Sequence, residues 1–414
     1  MKGTNWPIVA LLAFAVLATR TRQGGIVKPL AAQTQSRELP EFQVDASWEK
    51  LPSKWTLGEV GGVCVDKLDH IWALHRSDEV KSESGRAAAP PVLEFGSNGN
   101  LIRSWGGPGH GYEWPGAEHG IFVDYKGFVW ITGSGTDPAA GNDQIVKFTS
   151  EGKFVMQIGH KGQGKGNTDR NNLGGPAALS VYPKTDEVFI ADGFFNRRVI
   201  VFDANTGAFK RMWGAFGNVP SDRPTSEVRY RGTYGVVPIA PQDEEGPGPP
   251  QFSNVHCVRV SNDGLVYVCD KANRRIQVFT IEGKYLTQVF VSRSTLPPST
   301  LTGTAFGRPR REIADVLAQS PTSANSVAFS PDPDQKFMYV ADRRRSQVLI
   351  YDRKTLEYLG AFGGGPGEAP GQLSVVHDIA VDSRGNVYTA ESDSPSNKRV
   401  QKFEFKGIVP APHK

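Results

Sequence analysis

Three stretches of the chain repeat one plan: "VHCVRVSNDGLVYVCDKANRRIQVFTIEGKYLTQVF", "ALSVYPKTDEVFIADGFFNRRVIVFDANTGAFKRMWGAFG" and "SVAFSPDPDQKFMYVADRRRSQVLIYDRKTLEYLGAFG". Each holds four runs of alternating apolar and polar residues separated by turn chemistry. A unit of about 40 residues with four period-2 strands is the signature of a β-propeller blade. Abundant Gly (46) and Pro (29) with 10% aromatics suit many short strands better than helices.

Counting first strands gives six, near Val63, Ile121, Leu179, Val258, Val327 and Ile379. The sixth copy stops after "RVQKFEFKG" with only three strands. The segment "EFQVDASWEKL" (Glu41 to Leu51) precedes the first copy and supplies the missing fourth strand. A ring closed in this way leaves no open sheet edge. The expectation is one all-β, six-bladed β-propeller over residues 41–410, and the repeat pattern resembles the NHL family. Two insertions, Asn218 to Gln251 and Ser292 to Thr322, join the last strand of one blade to the first of the next. The second contains "RREIADVLAQ", which suits a short helix. Such connections share a face with the loops between second and third strands, and long loops crowded on one face are where a site is expected.

Upstream of the repeats, Lys2 precedes the apolar run "IVALLAFAVLA" (Ile8 to Ala18). This reads as a signal peptide over 1–18, followed by a linker over 19–40. An uncleaved N-terminal anchor is the alternative, since "TRTR" follows the run. Either way the body is expected to be secreted or periplasmic, attached to a membrane only through that segment. With 47 basic and 43 acidic residues, the net charge of +4 makes no case for a nucleic-acid partner. Of three cysteines, Cys257 and Cys269 flank one hairpin, where a bridge and a pair of buried thiols are both open.

Three histidines stand out. His119, His256 and His377 occupy the same position, at the start of the first strand, in blades two, four and six. Blades one, three and five carry Gly61, Ala177 and Asn325 there. A lone histidine at a strand start is ordinarily a packing residue. Three of only 8 histidines in one register, on alternate blades around a central channel, point instead to a metal site. Three neutral imidazoles with an open position suit zinc ahead of iron, manganese or copper. Arg76, ending the second strand of blade one, lies on the same face and can hold a carboxylate. The runs "NRR" and "RRR" read as solvated loop arginines with packed stems.

From "TLGEVGGVCVD" to the C-terminus the chain resembles peptidyl-α-hydroxyglycine α-amidating lyases, six-bladed propellers that cleave a C-terminal α-hydroxyglycine to an amide and glyoxylate. The resemblance implies His119, His256 and His377 as zinc ligands and Arg76 as the residue that binds the substrate carboxylate. It also implies a structural calcium on the Asp378 carboxylate and the carbonyls of Val63 and Ile121. One departure matters: the family's catalytic tyrosine falls on Phe194, in "ADGFFNRR", and a phenyl ring takes no proton. The family's disulfide cysteines have no counterparts at corresponding positions. The expectation is therefore an exported zinc-dependent lyase acting on a small-molecule or peptide substrate with a carboxylate. A hydrolase using zinc-bound water and a non-enzymatic propeller scaffold are its rivals.

Overall fold

Strands of this composition pair into sheets, but each sheet still has two apolar faces to cover. Six four-stranded antiparallel sheets solve this by stacking side by side around an axis. In the computed structural model of the chain the described residues are 37–80, 85–133, 142–222, 229–232, 235–238, 246–291, 298–320, 323–392 and 398–411. The expected signal peptide and all of the linker up to residue 36 lie outside them. First strands run Val60–Val65, Glu118–Val123, Pro176–Tyr182, Val255–Val260, Ser326–Phe329 and Val376–Val381. Buried apolar side chains fall into six clusters, and each is shared between two neighbouring blades. A blade has no core of its own; the ring has six shared ones.

Closure is made by Glu38–Asp45, which pairs antiparallel with Val400–Pro410 and completes blade six. The strand starts three residues inside the expected linker and ends well short of Leu51. Its alternation places Phe42 against Phe362 at 4.3 Å and Tyr339 at 5.7 Å, both in blade five. Trp48, 2% exposed, then wedges between blades six and one. Its ring lies 5.1 Å from Tyr388 and 5.6 Å from Phe95, and its Nε1 donates to the Ser97 carbonyl.

The last arginine of each "NRR" run is not solvated. Arg198 and Arg275 have no exposed surface, and each Nε donates at 2.8 Å to Asp192 and Asp270, at the ends of the second strands. Asn196 and Asn273 donate to the same carboxylates. A guanidinium can be buried here because a carboxylate and several loop carbonyls receive its donors. This Asp–Asn–Arg clamp sets the loop between second and third strands in blades three and four. Cys257 and Cys269 face each other across the first two strands of blade four and form a disulfide, while Cys64 is free and buried. Of the second insertion, Arg310–Ala318 is the α-helix expected there.

Trp48→Ala is expected to lower stability by about 3–5 kcal/mol, the usual cost of emptying a large aromatic site. Deleting residues through Asp45 exposes the edge of the Val400–Pro410 strand and should lower the melting temperature of the entire ring in one transition. A truncated protein that melts like the full chain would show that closure is not structural.

Candidate metal centre

Pairing between the first two strands slips at one place in each blade where both flanks are paired: between Val60 and Gly62, Glu118 and Ile121, Pro176 and Ala178, Val255 and Cys257, and Val376 and Asp378. In four of the five the bulged residue is Gly61, Ala177, His256 or His377; in blade two the slip spans His119 and Gly120. A bulge leaves its residue outside the ladder and re-aims the side chain. Sequence periodicity found the register but not this device.

The strand starts of neighbouring even and odd blades then pair around the axis. His119 Nδ1 bonds the carbonyl of Ala177, His256 Nδ1 that of Asn325 and His377 Nδ1 that of Gly61, each at 2.7 Å. A carbonyl only accepts, so Nδ1 carries the proton in all three rings and Nε2 presents its lone pair. Even blades provide imidazoles and odd blades provide main-chain oxygens. Close approach is needed for this: a Cβ on Gly120 would sit 2.6 Å from the Ala177 carbonyl.

The three rings lie 4.6–4.9 Å apart and about perpendicular to one another. Their ligand nitrogens fall within 4.8 Å of one another, and His256 Nε2 is buried with no hydrogen-bond partner. Burial disfavours the imidazolium, holding His119 at a pKa of about 3 and His256 and His377 well below the ordinary value. An inward lone pair on a neutral ring, orphaned where water cannot reach it, is what a divalent metal such as zinc requires. The residues fit that group.

Arg76 is buried beside the rings. Its Nε donates to the Glu118 carbonyl at 3.2 Å and its Nη1 to Glu59 at 2.7 Å, while Nη2 takes part in neither bond. Phe194 closes the other side, its ring 5.1 Å from His119 and 6.1 Å from His256. Its loop is held in place because Gly193 packs on the backbone of Val255, where a Cβ would come within 2.1 Å of a carbonyl. The structure thus gathers His119, His256, His377, Arg76 and Phe194 at one mouth of the channel. Asp378, Val63 and Ile121 belong to the next layer inward. There Asp378 accepts from Val63 N–H at 3.1 Å, Ser326 Oγ at 2.6 Å and Ile379 N–H at 2.9 Å.

Sequence reasoning missed Lys271. It follows the second strand of blade four as Arg76 follows that of blade one, so "VCDK" against "ALHR" carried the signal. Lys271 is 7% exposed, and its ammonium has no hydrogen-bond or ion-pair partner among the described residues. Burial, with the Arg343 and Arg76 guanidiniums as neighbours, pushes its pKa well below the usual lysine value. An anion arriving there would supply the missing counter-charge and favour the protonated amine.

Residues 252–279 match the NHL repeat family. The chain is 27% identical over 332 residues to NHL repeat-containing protein 3 of Mus musculus, covering 77% of this chain and 80% of that protein. It is 26% identical over 300 residues to a probable peptidyl-alpha-hydroxyglycine alpha-amidating lyase of Caenorhabditis elegans, covering 68% and 73%. Among solved structures, a structural genomics protein of unknown function from Bacteroides thetaiotaomicron aligns with a TM-score of 0.51 and 13% identity. That alignment covers 89% of this chain and 76% of the other, and it concerns the fold alone. The chain is a six-bladed β-propeller with an NHL repeat, and its distant relatives include proteins named as amidating enzymes.

Acid should weaken the inner ring. His75, with no exposed surface, accepts from Gly58 N–H at Nδ1 and meets the Pro90 carbonyl at Nε2, and burial lowers its pKa to about 4. Between about 6.5 and 4 the unfolded chain binds the extra proton and the folded one does not. Stability is therefore complete above about pH 6.5 and falls as pH falls through that window. His75→Gln can keep both bonds without titrating. In chemical denaturation at pH 7 and pH 4, it should lose about 3 kcal/mol less than wild type.

Proposed function

We propose that this chain is an exported zinc protein of the amidating-lyase type, acting on a carboxylate-bearing substrate. The observation that carries the reading is the set of three inward, neutral imidazoles with Arg76 and Lys271 beside them. A zinc ion held by His119, His256 and His377 would supply Lewis acidity to a substrate hydroxyl. The chain's own groups do the rest. Arg76 orients a terminal carboxylate through the guanidinium edge not used by Glu118 and Glu59. Lys271 would gain its proton as a carboxylate enters, becoming a second positive centre, so the site favours anions over neutral peptides of the same shape. Phe194 covers the imidazoles and keeps water from them, but it neither gives nor takes a proton.

The last point supports a second reading. A site with metal and carboxylate binding but no phenol suits recognition of an α-hydroxy acid or α-hydroxyglycine end without rapid cleavage. The relative named only for its NHL repeats fits that reading as well as the relative named as a lyase.

Elemental analysis of protein purified without chelators should find about one zinc per chain, and His256→Ala should lose most of it. Glyoxylate release from an α-hydroxyglycine peptide then separates the readings. Phe194→Tyr places a phenol against the imidazoles and should raise release at least ~10-fold, with Arg76→Ala in that background removing the gain. Wild-type protein that refuses added zinc would end both readings. A zinc-loaded Phe194→Tyr protein that still releases nothing would leave recognition alone.

A further inference from the structure

Below the imidazoles the channel contains a charge pair to which every blade contributes. Asp378, from blade six, receives Val63 N–H of blade one and Ser326 Oγ of blade five. Facing it is Arg259, from the first strand of blade four. Its Nη1 donates to the Leu179 carbonyl of blade three at 3.1 Å and to the Val258 carbonyl at 3.2 Å, and its Nη2 lies 3.5 Å from Asp378 Oδ1. The guanidinium also lies over Phe122 of blade two, 6.0 Å from the ring centre. Both side chains are largely buried, at 14% and 12% exposure.

A calcium ion in this layer would need oxygen lone pairs free to turn toward it, six to eight of them. Here the carboxylate's lone pairs already have partners. Asp378 is surrounded by N–H and O–H donors, and two main-chain oxygens of the inner strands accept from the arginine. Leu179 and Val258 hold, in blades three and four, the place that Val63 and Ile121 hold in blades one and two. The donor set is that of an anion satisfied by a resident cation.

We infer that Arg259 is the axial cation of this propeller, and that the chain needs and binds no calcium at Asp378. The guanidinium gives the ring a positive centre that is covalently part of blade four and cannot dissociate. It ties blades three, four and six at one point, and its charge balances the one carboxylate placed there. This does not depend on the reading of the imidazole site, which lies in the layer above and would be tested by zinc.

Calcium content and melting temperature test it. Wild-type full chain should carry far less than one calcium per chain, and its melting temperature should be the same with and without ~1 mM calcium chloride. Arg259→Ala should melt lower, because it strands Asp378 without a counter-charge. Calcium should then bind the vacated layer and raise that variant's melting temperature by at least ~3 °C, while magnesium should not. Arg259→Lys keeps the charge and should remain indifferent to calcium. A stoichiometric calcium in wild-type protein, or a wild-type melting temperature that rises with calcium, would overturn the inference, and either can be read even if Arg259→Ala fails to fold. An Arg259→Ala protein as stable as wild type, or one destabilised and deaf to calcium, would overturn it too.

Discussion

Everything in this molecule rests on the pairing of Glu38–Asp45 with Val400–Pro410. Each apolar cluster is shared by two blades, so no blade is stable by itself and the cores exist only while the circle is complete. The closing strand turns blade six from a three-stranded sheet with a bare edge into the partner of both blade five and blade one. Phe42 serves the first contact and Trp48 the second. The channel side chains depend on it as well, because His377 reaches its acceptor, Gly61, across the junction where the two ends of the fold meet.

Within the ring, two layers of charge are handled in opposite ways. At the mouth, main-chain carbonyls fix three rings as neutral bases, while Arg76 faces Glu59 at 2.7 Å and Glu79 at 3.5 Å, and the Lys271 amine has no counter-charge among the described residues. One layer in, a carboxylate and a guanidinium cancel each other. The mouth thus gathers inward lone pairs beside basic side chains, whereas in the layer beneath it the carboxylate already has its donors and a guanidinium. Burial acts on each group in the direction that favours its uncharged form, and a group stays charged only where a counter-charge lies within reach.

The sequence was most legible where a residue's type and its spacing gave the same message. Period-2 runs and turn residues yielded six blades and the closing strand, and one shared register yielded His119, His256 and His377. It was less legible where a main-chain atom or a distant partner decides. The acceptors that orient the histidines leave no compositional trace, since Gly61, Ala177 and Asn325 have nothing in common as side chains. Arg198 and Arg275 looked solvated because the carboxylates that bury them stand several residues upstream in the preceding strand. Nothing in the sequence marked Arg259, because an alternating strand does not say which face will meet a counter-charge. Lys271 was overlooked because a lysine after an aspartate reads as surface until the fold removes the water around it.

The alternation of imidazole and carbonyl has a consequence for how such a chain can change over time. Half of the candidate centre's hydrogen-bonding frame is written in backbone, so at Ala177 and Asn325 the acceptor does not depend on the side chain, whereas Gly61 has no room for one, since a Cβ there would lie 2.7 Å from the His119 carbonyl. The other half is written in side chains and tolerates almost no substitution. What endangers the backbone half is a change of count: one residue gained or lost at a bulge would move the acceptor carbonyl off its imidazole while every histidine stayed in place. A descendant could therefore keep all three histidines and still have lost the centre, through a single-residue deletion in a blade that bears none of them.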